Sequence, residues 1–182
     1  MAMQPGRKNR PPLTAAKLEE MALHYVGRFA TSRAKLVAYL QRKLRERGWD
    51  GAAEPTVDEL ADRLVRLGYV DDRAFALSKA RSLTGRGYGQ RRVTQALALA
   101  GIGEEDGSEA RGLAEEESVA AALRFARRRS FGPYAQSAPD HAQRERALAA
   151  MIRAGHRFQV ARAIIDLQPG ESPDTEALLN LR

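Results

Sequence analysis

The chain is 182 residues long and carries a net charge of +7, with 43% hydrophobic residues, only 6% aromatics and no cysteine. Without cysteine there are no disulfides and no thiolate metal sites, which fits a reducing cytosol. No apolar run approaches the ~18 residues a membrane span requires, and a core drawn from Ala, Leu and Val favours close helix packing over a sheet.

The basic residues Arg7, Lys8 and Arg10 are followed by no apolar segment, so residues 1–13 read as a disordered basic arm and not as a secretory signal. Residues 14–29 then place Leu18, Met21, Ala22, Tyr25 and Phe29 at helical spacing. Thr31 and Ser32 cap a second helix, whose stripe is Leu36, Val37, Leu40 and Leu44 and which ends at Gly48. Residues 49–55 form a loop. Thr56, with Glu59 three residues on, has the pattern of a capping box opening a third helix. Val57, Leu60, Ala61, Leu64 and Leu67 line that helix, and Gly68 ends it in the left-handed conformation that glycine tolerates.

Asp71 and Asp72 can cap the next helix, which has a small-residue face around Phe75 and Ala80 and breaks at Thr84-Gly85-Arg86-Gly87-Tyr88-Gly89. Gln90 restarts a helix with Val93, Ala96, Leu97 and Ala100 on one stripe, and Gly101 ends it. Residues 103–117 are acidic and glycine-interrupted, and predict no more than a short helix over 108–113. Val119, Ala122, Leu123 and Ala126 mark the following helix, and residues 130–139 a Gly/Pro/Ser loop. Asp140 with Gln143 caps a helix ending at Gly155, and Val160, Ala161, Ile164 and Leu167 mark the last one. Residues 169–182 read as a loose tail.

A unit recurs along the chain. Leu44-x-x-x-Gly48, Leu97-x-x-x-Gly101 and Met151-x-x-x-Gly155 occupy equivalent places at a spacing of about 53 residues, with Leu40, Val93 and Ala147 aligned upstream, and so do Tyr39, Arg92 and Arg146. The units are residues 14–68, 69–113 and 114–168.

The motif Gly68-Tyr69-Val70-Asp71-Asp72, then Phe75-Ala76, then Gly87-x-Gly89-x-x-Arg92-Val93, then Leu97-x-x-x-Gly101-Ile102 closely resembles the centre of the RecX regulators of the RecA recombinase. The resemblance runs over roughly 18–167. It implies an all-α, elongated and curved array of three tandem three-helix repeats, of helix-turn-helix character. It further implies a non-enzymatic regulator of homologous recombination and DNA repair. Such a regulator would bind the groove of the RecA–single-stranded-DNA filament, meeting single-stranded DNA directly or within the filament, and limit its ATPase, growth and strand exchange. The family offers no catalytic residues to transfer and implies no cofactor; the protein is expected to be a cytoplasmic monomer.

The residues themselves point the same way. His24, His141 and His156 are scattered, so a metal centre is not expected, and the Asp71-Asp72 pair is explained by capping. The amides at the start of the Gln90 helix, beside Arg86, Arg91 and Arg92, could hold a phosphate or carboxylate, or simply form a tight turn. Basic clusters recur: Arg33, Lys35, Arg42, Lys43, Arg45 and Arg47; then Arg81, Arg86, Arg91 and Arg92; then Arg124, Arg127, Arg128 and Arg129. Aligned along an array they would make a stripe suited to a polyanionic groove. The candidate partner- or DNA-binding set is therefore Arg33, Arg42, Lys43, Arg81, Arg86, Tyr88, Arg91, Arg92, Arg127, Arg128 and Arg146. Tyr39, Trp49, Tyr69, Phe75 and Tyr88 could stack on bases as in single-strand binders; Tyr88 is the best candidate for an exposed aromatic, whereas Phe75, Trp49 and Tyr69 read as packing residues. Gly68, Asp71, Asp72, Phe75, Gly89 and Gly101 are the structural motif. The rival class is a helix-turn-helix transcription regulator reading half-sites with Gln90, Arg91, Thr94 and Gln95, and a third is a helical scaffold with no nucleic-acid role.

Overall fold

Four helices begin at a side-chain cap, and several are followed by a residue of positive φ. In the computed structural model, which describes residues 11–181, α1 (Ala15–Arg28) starts at Thr14, whose hydroxyl accepts the Lys17 amide at 3.3 Å. Ser32 does the same for Lys35 at the start of α2 (Arg33–Arg47). After α3 (Val57–Arg66) come α4 (Asp72–Gly85), α5 (Gln90–Ala98) and α6 (Glu104–Glu116). The chain continues with α7 (Ser118–Arg129), α8 (His141–Arg153), α9 (Phe158–Asp166) and α10 (Thr175–Leu179). No strand is found among the described residues; one isolated bridge pairs Leu13 with Trp49.

The chain divides into two compact units, Met1–Asp72 and Arg73–Arg182. In the first, α1, α2 and α3 enclose Leu18, Ala22, Leu36, Leu40, Leu60 and Leu64. The second holds two cores. One gathers Ala76, Ala80, Leu83, Val93, Leu97 and Ala110 from α4, α5 and α6. The other gathers Val119, Phe125, Met151, Val160 and Ile164 from α7, α8 and α9. Three cores for three three-helix sets is the tandem arrangement that the recurring unit predicts. Leu40, Val93 and Ala147, aligned in sequence, are all buried, and Gly48, Gly101 and Gly155 all have positive φ, at 81°, 70° and 96°.

Schellman motifs end five of these helices, the 6→1 bond taking up an orphan carbonyl. Tyr69 N–H donates to Leu64 O at 2.9 Å, Tyr88 to Leu83 O at 3.0 Å and Ile102 to Leu97 O at 3.1 Å. His156 donates to Met151 O at 3.2 Å and Phe131 to Ala126 O at 2.9 Å. Glycine supplies the left-handed residue in four of them, and Ser130 (φ 54°) in the fifth.

Several expectations change. The basic arm lies outside the described residues up to position 10, but Leu13, at its end, is fully buried. Its amide donates to Gly48 O and its carbonyl accepts from Asp50, both at 2.9 Å, so an apolar residue beside two prolines is recruited into the first core. Thr56 makes no side-chain cap at α3; its ψ of 64° is not the extended value that aims the hydroxyl at the helix amides. Asp140 and Gln143 do form the full capping box. Residues 104–116 are one continuous helix, where only a short one was expected. Its buried side is Gly107, Ala110 and Ala114, a small-residue stripe that lets α6 lie against α5 without large side chains. The 130–139 loop contains a turn of 3-10 helix at Gly132–Tyr134. The tail is tied down too, since α10 buries Leu178 in the third core.

Candidate partner-binding surface

The glycine-rich stretch after α4 is where the second and third helix sets meet, inside the second unit. Gly87, at φ 80°, turns the chain, and a Cβ there would stand 2.9 Å from the Phe125 amide of α7. The turn leaves helix-terminal carbonyls that need donors. Three of them, Thr84 O, Arg86 O and Gly87 O, find a cationic or imidazole partner from the neighbouring set. Arg124 Nε donates to Thr84 O at 3.2 Å, and Arg128 Nη1 to Arg86 O at 2.6 Å. Arginines at a helix C-terminus also complement its dipole.

His156 completes this set. It is almost fully buried, and its Nε2 lies 3.1 Å from Gly87 O. Burial pushes its pKa down to about 4, with the Gly87 carbonyl opposing that fall. The ring is therefore neutral at pH 7, and Nε2–H donates to Gly87 O. Phe125 lies beside it, with ring centroids 5.5 Å apart.

The start of α5 is sealed by the same neighbour. Gly89 N–H donates to Ala154 O at 2.9 Å and Arg91 N–H to Gly155 O at 3.2 Å. Of the two readings of this loop, anion nest or tight turn, the structure gives the turn: the Gly89 and Arg91 amides hold main-chain carbonyls. The glycines are there for close approach, because a Cβ on Gly89 would meet Gly155 C at 2.5 Å and one on Gly155 would meet Arg92 N at 2.5 Å.

This packing turns a row of arginines outward. Arg86 lies over the Tyr88 ring at 5.3 Å from its centroid, and Arg127 over Tyr134 at 5.0 Å. Arg128 and Arg129 flank Phe125 at 5.5 and 5.8 Å. Arg91 and Arg92 are exposed at the first turn of α5, with Arg92 bonded to Gln95 at 3.1 Å. None of Arg86, Arg91, Arg92, Arg127, Arg128 and Arg129 forms an ion pair with a carboxylate among the described residues. Arg124 does, with Glu117 at 2.6 Å. Arg81 and Arg146 are exposed, without an ion pair among the described residues. Tyr88 is half-buried, and packs against both cores of this unit.

In the first unit the predicted basic residues have internal partners. Arg33 Nε donates to Asp62 at 2.6 Å and its Nη2 to Asp58 at 2.9 Å, tying α2 to α3. The Asp62 bond holds the Arg33 guanidinium pKa above its usual value, and the guanidinium in turn holds the Asp62 carboxyl below its own. Lys43 and Arg42 reach Glu46 at 2.6 and 3.9 Å, and both also lie over the Tyr39 ring. In the structural motif, Asp72 Oδ1 accepts the Arg33 amide at 2.7 Å, so this acid caps α2 from a distance in sequence. Phe75 packs, half-buried, against the second core. Tyr69, expected to pack beside the Gly68 cap, is 57% exposed.

Of the residues placed at helical spacing on the first helix, Tyr25 packs half-buried against the first core, whereas Phe29 is 53% exposed. The Tyr25 ring stacks on Tyr39 with centroids 4.2 Å apart and planes 11° from parallel, and it lies 5.4 Å from Phe29. The only signal was their i,i+4 spacing, which a core stripe shares.

Comparison with known proteins places this chain in a family. The second helix set, residues 71–110, matches the profile described as RecX, second three-helix domain. A regulatory protein RecX of Myxococcus xanthus (strain DK1622) is 34% identical over 172 residues, 90% of this chain and 92% of that protein. The chain belongs to the RecX family. Another family member, from Agrobacterium fabrum (strain C58 / ATCC 33970), is 31% identical over 140 residues, 74% of each chain. The crystal structure of RecX from Lactobacillus salivarius shares the fold, with a TM-score of 0.58 at 18% identity over 92% of this chain and 97% of that one. A second crystal structure, of a regulatory protein RecX, gives 0.59 at 22% identity over 84% and 71%. RecX relatives are thus regulatory proteins by name, and no helix among the described residues is long and apolar enough to cross a membrane.

Proposed function

We propose that this protein is a non-enzymatic regulator that binds along the groove of a RecA–single-stranded-DNA filament and limits its ATP hydrolysis, growth and strand exchange. The observation that carries the reading is the set of exposed arginines around the α4–α5 turn and the end of α7, which have no carboxylate partner among the described residues. Six guanidinium groups left unneutralised on one compact unit repel one another, and a polyanion relieves that repulsion. A filament groove offers phosphates and recombinase carboxylates, and arginine's planar fork binds either bidentately. The protein acts in the cytoplasm, as a monomer and without a cofactor of its own. The ATPase it controls belongs to the recombinase.

The helix-turn-helix transcription-regulator reading is disfavoured by the tandem repeat of three-helix sets.

Co-sedimentation with recombinase filaments tests the proposal. Wild-type protein pellets with filaments. The variant Arg91→Glu with Arg92→Glu, at exposed positions, pellets less while its circular dichroism stays helical. Equal pelleting by the two proteins removes these arginines from the interface.

A further inference from the structure

The first unit carries a second surface of different character, in the cleft between α1 and α2. His24, Tyr25, Phe29, Lys35, Tyr39, Arg42 and Arg45 line a cleft of about 680 Å³. No acid is among the residues that line it. Its floor is a row of rings: Tyr39 stacks on Tyr25 at 4.2 Å, and Tyr25 meets Phe29 at 5.4 Å. The row ends in the open, since Phe29 is 53% exposed. Phe29 ends the ladder largely exposed, with the exposed Arg28 guanidinium over its ring, and burying such an apolar ring is favourable. Cations surround the row. Arg28 lies 5.8 Å from the Phe29 centroid, Arg42 lies 5.7 Å from that of Tyr39, and Lys35 and Arg45 stand exposed on α2.

We propose that this cleft binds unpaired nucleotides of single-stranded nucleic acid, with a base stacked on Phe29 as the next ring of the ladder and the adjoining phosphates on Arg42, Arg45 and Lys35. Charge complementarity and ring geometry select this occupant together. Phosphates alone need the cations and would leave the rings uncovered; an acidic peptide covers the rings only where an aromatic residue happens to fall, whereas every nucleotide brings a phosphate and a flat base together. Stacking platforms rimmed with cations are how sequence-tolerant single-strand binding is built. The site would be indifferent to base identity because every base has a π-face. It goes beyond the filament reading and does not depend on it.

The test measures anisotropy of a labelled oligothymidylate, and of an abasic strand of the same length, with no recombinase present. Wild-type protein should bind the oligothymidylate more tightly than the abasic strand. Replacing Phe29 by alanine should weaken oligothymidylate binding about tenfold, the scale of one lost base stack, and leave the abasic strand almost unaffected. Phe29→Leu keeps an apolar side chain against Tyr25 without a ring, and should behave like Phe29→Ala; Phe29→Trp should restore binding. Equal wild-type affinity for the two strands, or full binding by Phe29→Leu, overturns the proposal. Since the recombinase is absent, such a failure leaves the filament reading standing, and failure of co-sedimentation leaves this site standing.

Discussion

Substituting Gly89 by alanine tests the close approach that joins the second and third helix sets. Gly89 is the N-cap of α5, with extended backbone at φ −80° and ψ 170°, so alanine adopts the conformation without strain and loses only the N-cap preference. The larger cost lies in space. The new Cβ would meet the Gly155 carbonyl oxygen and would stand 2.5 Å from Gly155 C and 2.7 Å from His156 N, all main-chain atoms that must move. Overpacking of this kind costs about 1–3 kcal/mol. Moving the α8–α9 turn away also strains the Gly89–Ala154 and Arg91–Gly155 hydrogen bonds, each worth about 1 kcal/mol. The sum, allowing for partial relaxation, is roughly 2–4 kcal/mol. A matched control exists in the same unit. Gly103 is the N-cap of α6, also extended (φ −68°, ψ −179°), and a Cβ there meets nothing within 4 Å. Gly103→Ala should cost only the N-cap preference, roughly 0.5–1 kcal/mol. Urea unfolding followed by far-ultraviolet circular dichroism gives both values. Equal destabilisation by the two substitutions would refute the close-approach argument.

Three more expectations follow from the same junction and its neighbours. The His156 pKa falls from 6.5 to about 4 on folding, so between those values the unfolded chain binds a proton that the folded one refuses. Stability should therefore fall by about 3 kcal/mol as pH drops from 6.5 to 4, at ~1.36 kcal/mol per pKa unit, a loss seen in urea midpoints across that range. His156→Gln should flatten the dependence; an unchanged slope would assign it to other groups. Ser130→Gly should raise stability by roughly 0.5–1 kcal/mol, because glycine occupies φ 54° without the Cβ clash, and a melting temperature unchanged or lowered would contradict this.

The recurring Leu-x-x-x-Gly pattern was readable because a helix end that turns left demands glycine, and a sequence shows glycine plainly. Asp140 with Gln143 was readable for the same reason, since a capping box is local. Thr56 with Glu59 has the same local pattern and fails, because ψ at Thr56 is 64° and the hydroxyl does not face the helix amides. The α6 helix was under-read because composition registers the size of apolar residues and not their register; Gly107, Ala110 and Ala114 are small but share one face. At the surface, clusters of arginine were visible, but their duties were not. Arg33 is spent on Asp58 and Asp62, and Arg124 on Thr84 O and Glu117, pairings that only the tertiary contacts create. Asp72 was read as a cap for its own helix, and its bond to the Arg33 amide spans a distance no local rule reaches. The Tyr39–Tyr25–Phe29 ladder was hidden likewise, because it crosses from α1 to α2.

The most direct test of the central reading is the single-strand-dependent ATPase of the cognate recombinase, measured across a concentration series of this protein. A groove-binding regulator should lower the hydrolysis rate while substoichiometric to recombinase, since one bound molecule affects many protomers of a filament. Hydrolysis that stays unchanged across the series would contradict the account.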